Sequence, residues 1–378
     1  MNSQSKASLE NLLLDGDPIL HKKFRIIKDG FVPIHEVVVQ GASLADGGLL
    51  TGHGLQHIER VCAVISSIVS QARIELANYE IFIILVAAQI HDVGNVIGRV
   101  DHEKKAHKVW SKAIGQLGFD ALDRSLAEQI AAAHGGKVAN DKNTIGKLPP
   151  DGPWNNQMVR PRFLAALLRL ADELAEDRDR SATVLAAFDR IPRENEIYHI
   201  YAGGLHSTIP EAESSSVRLS FAFSEDLFLR RLGKGTQEQF LLDEVYSRVL
   251  KMWHECTYCS RFFPGFSFTK VHVEILIFAH EDENNGAMTL IRDKIRFYIE
   301  ESGYPTGPKE RIFDLCDDLN DFRGGGRLTA DRLIAMLKGS DGVTPVPATK
   351  RAESGGSSRP ALWAKVSELM LQKIRGRP

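Results

Sequence analysis

Six side chains that can bind metal or move protons stand where an apolar residue would be expected: His57, His91, Asp92, His102, His134 and Asp172. Residues four apart lie nearly in line along a helix, and each of the six extends a line that is otherwise apolar. His57 aligns with Val61, Val64 and Ile68, and His102 with Ala106, Val109 and Ala113. His134 aligns with Leu126 and Ile130, and Asp172 with Leu164 and Leu168. His91 and Asp92 follow the apolar run 81–88 and continue the faces of Ala87 and Ala88. A single inward histidine is ordinary, because it can hydrogen-bond a core carbonyl. A buried carboxylate is costly unless it is paired or ligates a metal. Two carboxylates and four imidazoles facing inward from five helices are poorly explained as six separate accidents. The competing explanation is a structural core of buried His–Asp hydrogen-bonded pairs.

Imidazole with carboxylate is a donor mix suited to divalent transition ions. The set therefore predicts one or two ions per chain, Mn, Fe, Zn, Ni or Mg, which would activate water near neutral pH. Asp92, beside His91, is the carboxylate placed to bridge two ions. Negative charge on a substrate would need cations, for which Arg99, Lys105, Lys137, Arg169, Arg178 and Arg180 are candidates, although each also reads as solvated surface. His53, one turn before His57, is a further candidate substrate contact or a plain loop residue.

These residues need helices to hold them. Three- and four-residue apolar spacing predicts helices near 55–72, 78–93, 102–117, 122–134 and 161–176. The Gly-, Pro- and Asn-rich stretch 134–156 reads as a long loop, of the length usually found in functional lids or disordered segments. After Pro192 the period changes. A hairpin is expected around Gly203-Gly204, and strands at 217–223 and 270–278, with a helix opening at the capping-box pattern Thr236-Gln-Glu-Gln239 and running to about Phe262. The expected product is a small antiparallel sheet under one long helix, with helices again from Ala287 to about Leu337. Residues 339–360 have linker composition, and 361–374 reads as a last helix before a basic tail. The fold class is mainly α. Its expected parts are an N-terminal extension (1–49), a helical core (50–190), an α+β subdomain (191–282), a C-terminal helical region (283–338), the linker (339–360) and the terminal helix with its tail (361–378).

The whole chain has 378 residues, 43% hydrophobic and 25% charged, with a net charge of -2. That balance leans against a large nucleic-acid-binding surface. Four cysteines in a chain of this length make no disulfide framework, and the N-terminal residues lack the apolar core of a signal peptide. A cytoplasmic protein without a membrane span is expected. His254, Cys256 and Cys259 lack a nearby fourth zinc ligand, and the two cysteines read as helix packing. "FRGGGRL" (322–328) lacks the strand and Lys of a phosphate loop and reads as a turn.

In their order and local contexts ("HIERV", "QIHDVGN", "AAAHGG", "LLRLADELAEDRDR"), these residues resemble the HD superfamily of metal-dependent phosphohydrolases over about 50–185. The resemblance implies a helical core in which His57, His91, Asp92 and Asp172 surround one metal. In two-metal members two further histidines hold the second ion, and His102 and His134 match them. In the deoxynucleotide triphosphohydrolase branch a His in "HE" context acts near phosphate, as His102-Glu103 would, so the resemblance implies Asp92, His102 and His134 as catalytic groups and His53 and the cations named above as phosphate contacts. The segment "TQEQFLLDEVYSRVLKMWHECTYCSRF" with the strand after it resembles HD proteins of bacterial conflict systems, which implies anti-phage defence. Asn95 stands where many HD enzymes have a Lys. The GYP motif of cyclic-di-GMP phosphodiesterases is absent, as is the acidic pair of alarmone hydrolases. The expected substrate is a nucleotide, deoxynucleoside triphosphates first and a nucleotide-derived signal second. The alternatives are a non-catalytic nucleotide-sensing module and a metal-dependent nuclease on single-stranded nucleic acid. A homo-oligomer or a protein partner would dock through the C-terminal helices.

Overall fold

A helix that is apolar on every side needs apolar neighbours on every side, and the run at 78–90 has them. In the computed structural model, which describes residues 8–44, 54–98, 100–113, 120–176, 191–279, 291–301 and 309–339, the first helices are Leu9–Gly16 (α1), Pro18–Leu44 (α2), Leu55–Gln71 (α3) and Asn78–Ile90 (α4). Ala106–Ala113 (α5), Ala121–Ala132 (α6) and Pro161–Leu174 (α7) follow. Helix α4 lies among α1, α2, α3, α6 and α7, and every residue from Tyr79 to Ile90 is buried. By length and composition Asn78–Val96 could cross a bilayer, but 89% of that window is buried inside the protein, so it is a core helix. The N-terminal helices share this core: Leu9 and Leu13 of α1 and Phe24, Ile27 and Phe31 of α2 are fully buried in it.

A hairpin of Gly152–Trp154 (β1) and Gln157–Val159 (β2) precedes α7. The second half holds Glu196–Gly204 (α8), Leu205–Glu211 (β3), Ser216–Ser224 (β4), Arg231–Lys234 (β5), Gln237–Phe240 (β6), Leu241–Ser260 (α9), Lys270–Phe278 (β7) and Ile291–Glu300 (β8). Asp317–Asn320 (α10) and Ala330–Leu337 (α11) complete the described residues, all within one compact unit, Met1–Thr344. The larger sheet runs β3-β4-β7-β8. Val217, Leu219, Phe221 and Phe223 pair in register with Val271, Val273, Ile275 and Ile277, and all eight are buried on one face. The fold class is mainly α, as the sequence indicates.

Five local expectations change. The helix expected from residue 102 begins only at Ala106, and His102–Lys104 forms a separate 3-10 turn before it. Residues 196–204 form α8 rather than one arm of a hairpin, because Ile197 and Tyr201 lie one turn apart and bury together. Thr236 sits in a tight turn between β5 and β6, where Lys234 pairs with Gln237, and the long helix starts only at Leu241. The sheet is mixed, since β4 and β7 run parallel. Parallel neighbours need a long crossover, and that connection contains α9. Residues 291–300 are an edge strand rather than a helix: Ile295, Phe297 and Ile299 alternate inward, while Arg296 and Lys294 reach Glu274 on the other face. The linker 340–360, the terminal helix and the basic tail lie outside the described residues.

Candidate metal centre

The doublet gets its place from the end of α4. His91 caps that helix and Asp92 leads a tight turn, Val93–Val96, that swings the chain across the bundle. The last carbonyls of a helix lack intrahelical partners, and here the Ala88 carbonyl lies 2.9 Å from His91 Nδ1. With Nδ1 protonated and donating to it, the Nε2 lone pair points away from the helix. His134 repeats the device after α6, its Nδ1 lying 2.6 Å from the Ala131 carbonyl. His57 comes from the first turns of α3 and Asp172 from the last turn of α7. His102 opens a short 3-10 turn that packs on the turn after the doublet. Gly94 permits this approach, since a Cβ there would run into the His102 carbonyl oxygen. Gly136, at φ +67°, likewise leaves room for the buried Glu103 carboxylate.

Asp92 is the common member. Its Oδ2 lies 3.5 Å from His91 Nε2 and 3.9 Å from His57 Nε2, while its Oδ1 lies 3.1 Å from His102 Nε2 and 3.8 Å from His134 Nε2. Asp172 Oδ1 completes the first group, 3.0 Å from His57 Nε2 and 3.7 Å from His91 Nε2. Two groups that could hold a divalent ion result: His57–His91–Asp92–Asp172 and Asp92–His102–His134. Two donors about 2.1 Å from one ion cannot lie more than about 4.2 Å apart, and all of these separations satisfy that limit. His91 Nε2 is buried with no hydrogen-bond partner among the described residues, as suits a metal-ligating nitrogen. The donor set fits the implied metal.

Burial alone would push the His91 pKa down, but Asp92 and then Asp172 outweigh it and raise it to about 9. Asp172 is held well below the usual carboxylate range because His57 and His91 outweigh its own burial. Burial, with His91 close by, lowers His134. A histidine raised from 6.5 to about 9 contributes stability that is fully present below pH 6.5 and is lost as pH rises through 9. Metal-free protein should therefore lose stability on the order of 3 kcal/mol between those pH values. Asp172 titrates below that window and His134 is already neutral in it. With metal the sense reverses: the ligand must be neutral, so uptake at pH 7 releases a proton and affinity rises with pH. Thermal melts of chelated protein from pH 6.5 to 9 check this, and a flat profile would reject the proton assignment.

The remaining expected residues are distributed unevenly. His53, Arg99, Arg178 and Arg180 lie outside the described residues. Lys105 Nζ donates to the Gly98 carbonyl at 3.1 Å. Lys137 is exposed, lines the same surface cavity as His102 and has no ion pair among the described residues. Arg169 is no phosphate cation: it is buried and pairs with Glu255 through two hydrogen bonds of 2.6 and 2.9 Å. Cys256 and Cys259 are buried packing residues, and His254 faces outward against Trp253. His35 was not among the expected residues. It extends the buried line of Ile27 and Phe31 on α2, the signal that marks the other six, and it stacks on Phe31. Burial pushes its pKa down to about 4 despite Gln89 and Asp92 nearby, so it is a neutral neighbour behind the doublet.

No curated protein matches the chain. Residues 43–230, the stretch that carries both donor groups, match the HD-CE family model, and the chain is similar to that HD-like family over this span.

Proposed function

We propose that the protein is a metal-dependent phosphohydrolase acting on a phosphoester or phosphoanhydride of a nucleotide, with deoxynucleoside triphosphates the first choice. The observation that carries this reading is the division of one carboxylate between two imidazole sets, Oδ2 of Asp92 toward His57 and His91 and Oδ1 toward His102 and His134. Divalent ions bound there would supply an activated water and offset charge on phosphoryl oxygens. The protein's own groups then hold the substrate. A cavity of about 610 Å³ opens beside His102, lined by Glu103, Lys104, Lys137 and Asn140 among others. That volume is in the range of small-molecule sites. Lys137 offers a cation for a phosphate tail. His102, only partly buried, touches both Asp92 and the cavity, so a phosphate there lies within reach of its imidazole.

A cytoplasmic role in anti-phage defence belongs to the same proposal and rests on the likeness of residues 236–278 to HD proteins of conflict systems. Long nucleic acid is the weaker substrate class at a net charge of -2. The test is a panel of deoxynucleoside and nucleoside triphosphates, cyclic nucleotides and short single strands, offered to protein loaded with Mn, Mg, Fe or Ni. Release of phosphate, pyrophosphate or triphosphate from deoxynucleotides is expected. Binding without turnover under every metal would make the protein a nucleotide sensor, and cleavage of the oligonucleotide alone would make it a nuclease.

A further inference from the structure

His91 and His134 are held differently. His91 ends a helix that is buried on all sides, so its backbone is fixed by the core itself. His134 stands past the end of α6, at the head of a long loop that contains Gly135-Gly136 and left-handed backbone at Ala139 and Asn140. Its ring and its backbone N–H both lean on the Ala131 carbonyl at the end of α6, and a buried relay holds the same peptide group from outside. Thr144 Oγ1 donates to the Ala133 carbonyl at 2.7 Å, which is the oxygen of the peptide group joining Ala133 to His134. Arg169 Nη1 donates to the same Thr144 Oγ1 at 2.9 Å, and the other face of its guanidinium grips Glu255 on α9. A second tie runs in parallel. The Ile145 N–H donates to Tyr258 Oη at 3.0 Å, that hydroxyl donates to Asn143 Oδ1 at 3.1 Å, and Arg169 lies over the Tyr258 ring.

We propose that α9, acting through Glu255, Arg169, Thr144 and Tyr258, is the positioning element for His134 and thereby for the donor group Asp92–His102–His134. Apolar packing would hold α9 against α7 at least as well as a buried ion pair, because desolvating two charges offsets most of their attraction. What packing does not supply is direction. The fork of Arg169 fixes one hydroxyl, and the hydroxyl fixes one peptide plane. The α+β half also pairs with Glu173 and Glu176 beside Asp172 through Lys251 and Arg248, but the relay through Thr144 ends on the peptide of His134, a donor of the second group only. Groups that orient ligands from behind change metal affinity about 10- to 100-fold when removed.

This inference rests on the metal-binding reading above, and its test separates the two. Mn²⁺ is titrated into chelated full-length protein and the free ion is counted by electron paramagnetic resonance, with a melt of each variant alongside. Wild type should show two classes of site. Thr144→Val, which keeps the shape and removes the hydroxyl, should weaken one class about 10- to 100-fold and leave the other within about twofold. Thr144→Ser should restore it, and Glu255→Gln should weaken the same class from the other half of the molecule. Should Thr144→Val fail to fold, Tyr258→Phe takes its place with the same expectation. Equal weakening of both classes, no weakening of either, or a serine variant as poor as the valine would overturn the positioning role while the metal reading stands. A wild type that takes up no Mn²⁺ overturns both.

Discussion

Asp92→Asn protein should hold no metal at either donor group and turn over no substrate. The substitution keeps the shape of the side chain and removes the charge that both groups share. His57 and His91 face one of its oxygens, and His102 and His134 the other. Each group would lose the one anionic donor they share, leaving the second with imidazoles alone and the first with two imidazoles and Asp172, so both should bind divalent ions far more weakly. Metal content should fall from about two per chain to near zero. Turnover should fall on the order of 10⁴-fold or more, about 5 kcal/mol or more of lost transition-state stabilisation. The His91 pKa should fall with it, since burial is then opposed only by Asp172 and the Ala88 carbonyl. Elemental analysis and nucleotide turnover on folded variant, checked by its melt, decide the matter. Retention of both ions and of activity would end the hydrolase reading.

The cluster of six was legible in the sequence, for a physical reason. A polar residue on an apolar helical line is conspicuous because burial makes it expensive, so His57, His91, Asp92, His102, His134 and Asp172 could be picked out without any contact map, and the structure brings all six together. His35 obeys the same rule on α2 and could have been found by it. The helices were legible because their period is carried by many residues. The errors fall on short elements, where two periods compete. In "EIYHIYAGG" the Ile and Tyr side chains favour a strand locally, and only packing against the sheet decides for a helix. "IRDKIRFYIE" alternates inward at Ile295, Phe297 and Ile299, but its charges on the open face of an edge strand mimic a solvated helix. At Thr236 the capping-box letters are present, yet the two-residue turn between β5 and β6 uses them instead. No sequence pattern foretells the relay through Arg169, because its partner Glu255 lies 86 residues away. A cation read for phosphate is satisfied by that carboxylate.

Replacing His102 or His134 by alanine should lower the metal content from about two ions per chain to about one. The four donors of the first group are untouched by either change and suffice for one ion with positions left for water and substrate. His134 is buried with its Nδ1 committed to the Ala131 carbonyl, leaving Nε2 to face Asp92, as a ligand does. His102 has one nitrogen toward Asp92 and the other 3.5 Å from Glu103, the carboxylate-backed arrangement that raises a ligand's basicity. The rings lie 5.6 Å apart, edge to face, on the same carboxylate oxygen. If the two serve as one unit, the double variant should be no worse than either single one, since a site lost once cannot be lost again. If instead His102 donates a proton to the leaving group, as its place at the cavity also allows, its alanine variant keeps two ions while turnover falls about 10²–10⁴-fold, and the loss adds to that of His134→Ala. Unchanged metal in both single variants would refute the three-residue site, whatever happens to the rate.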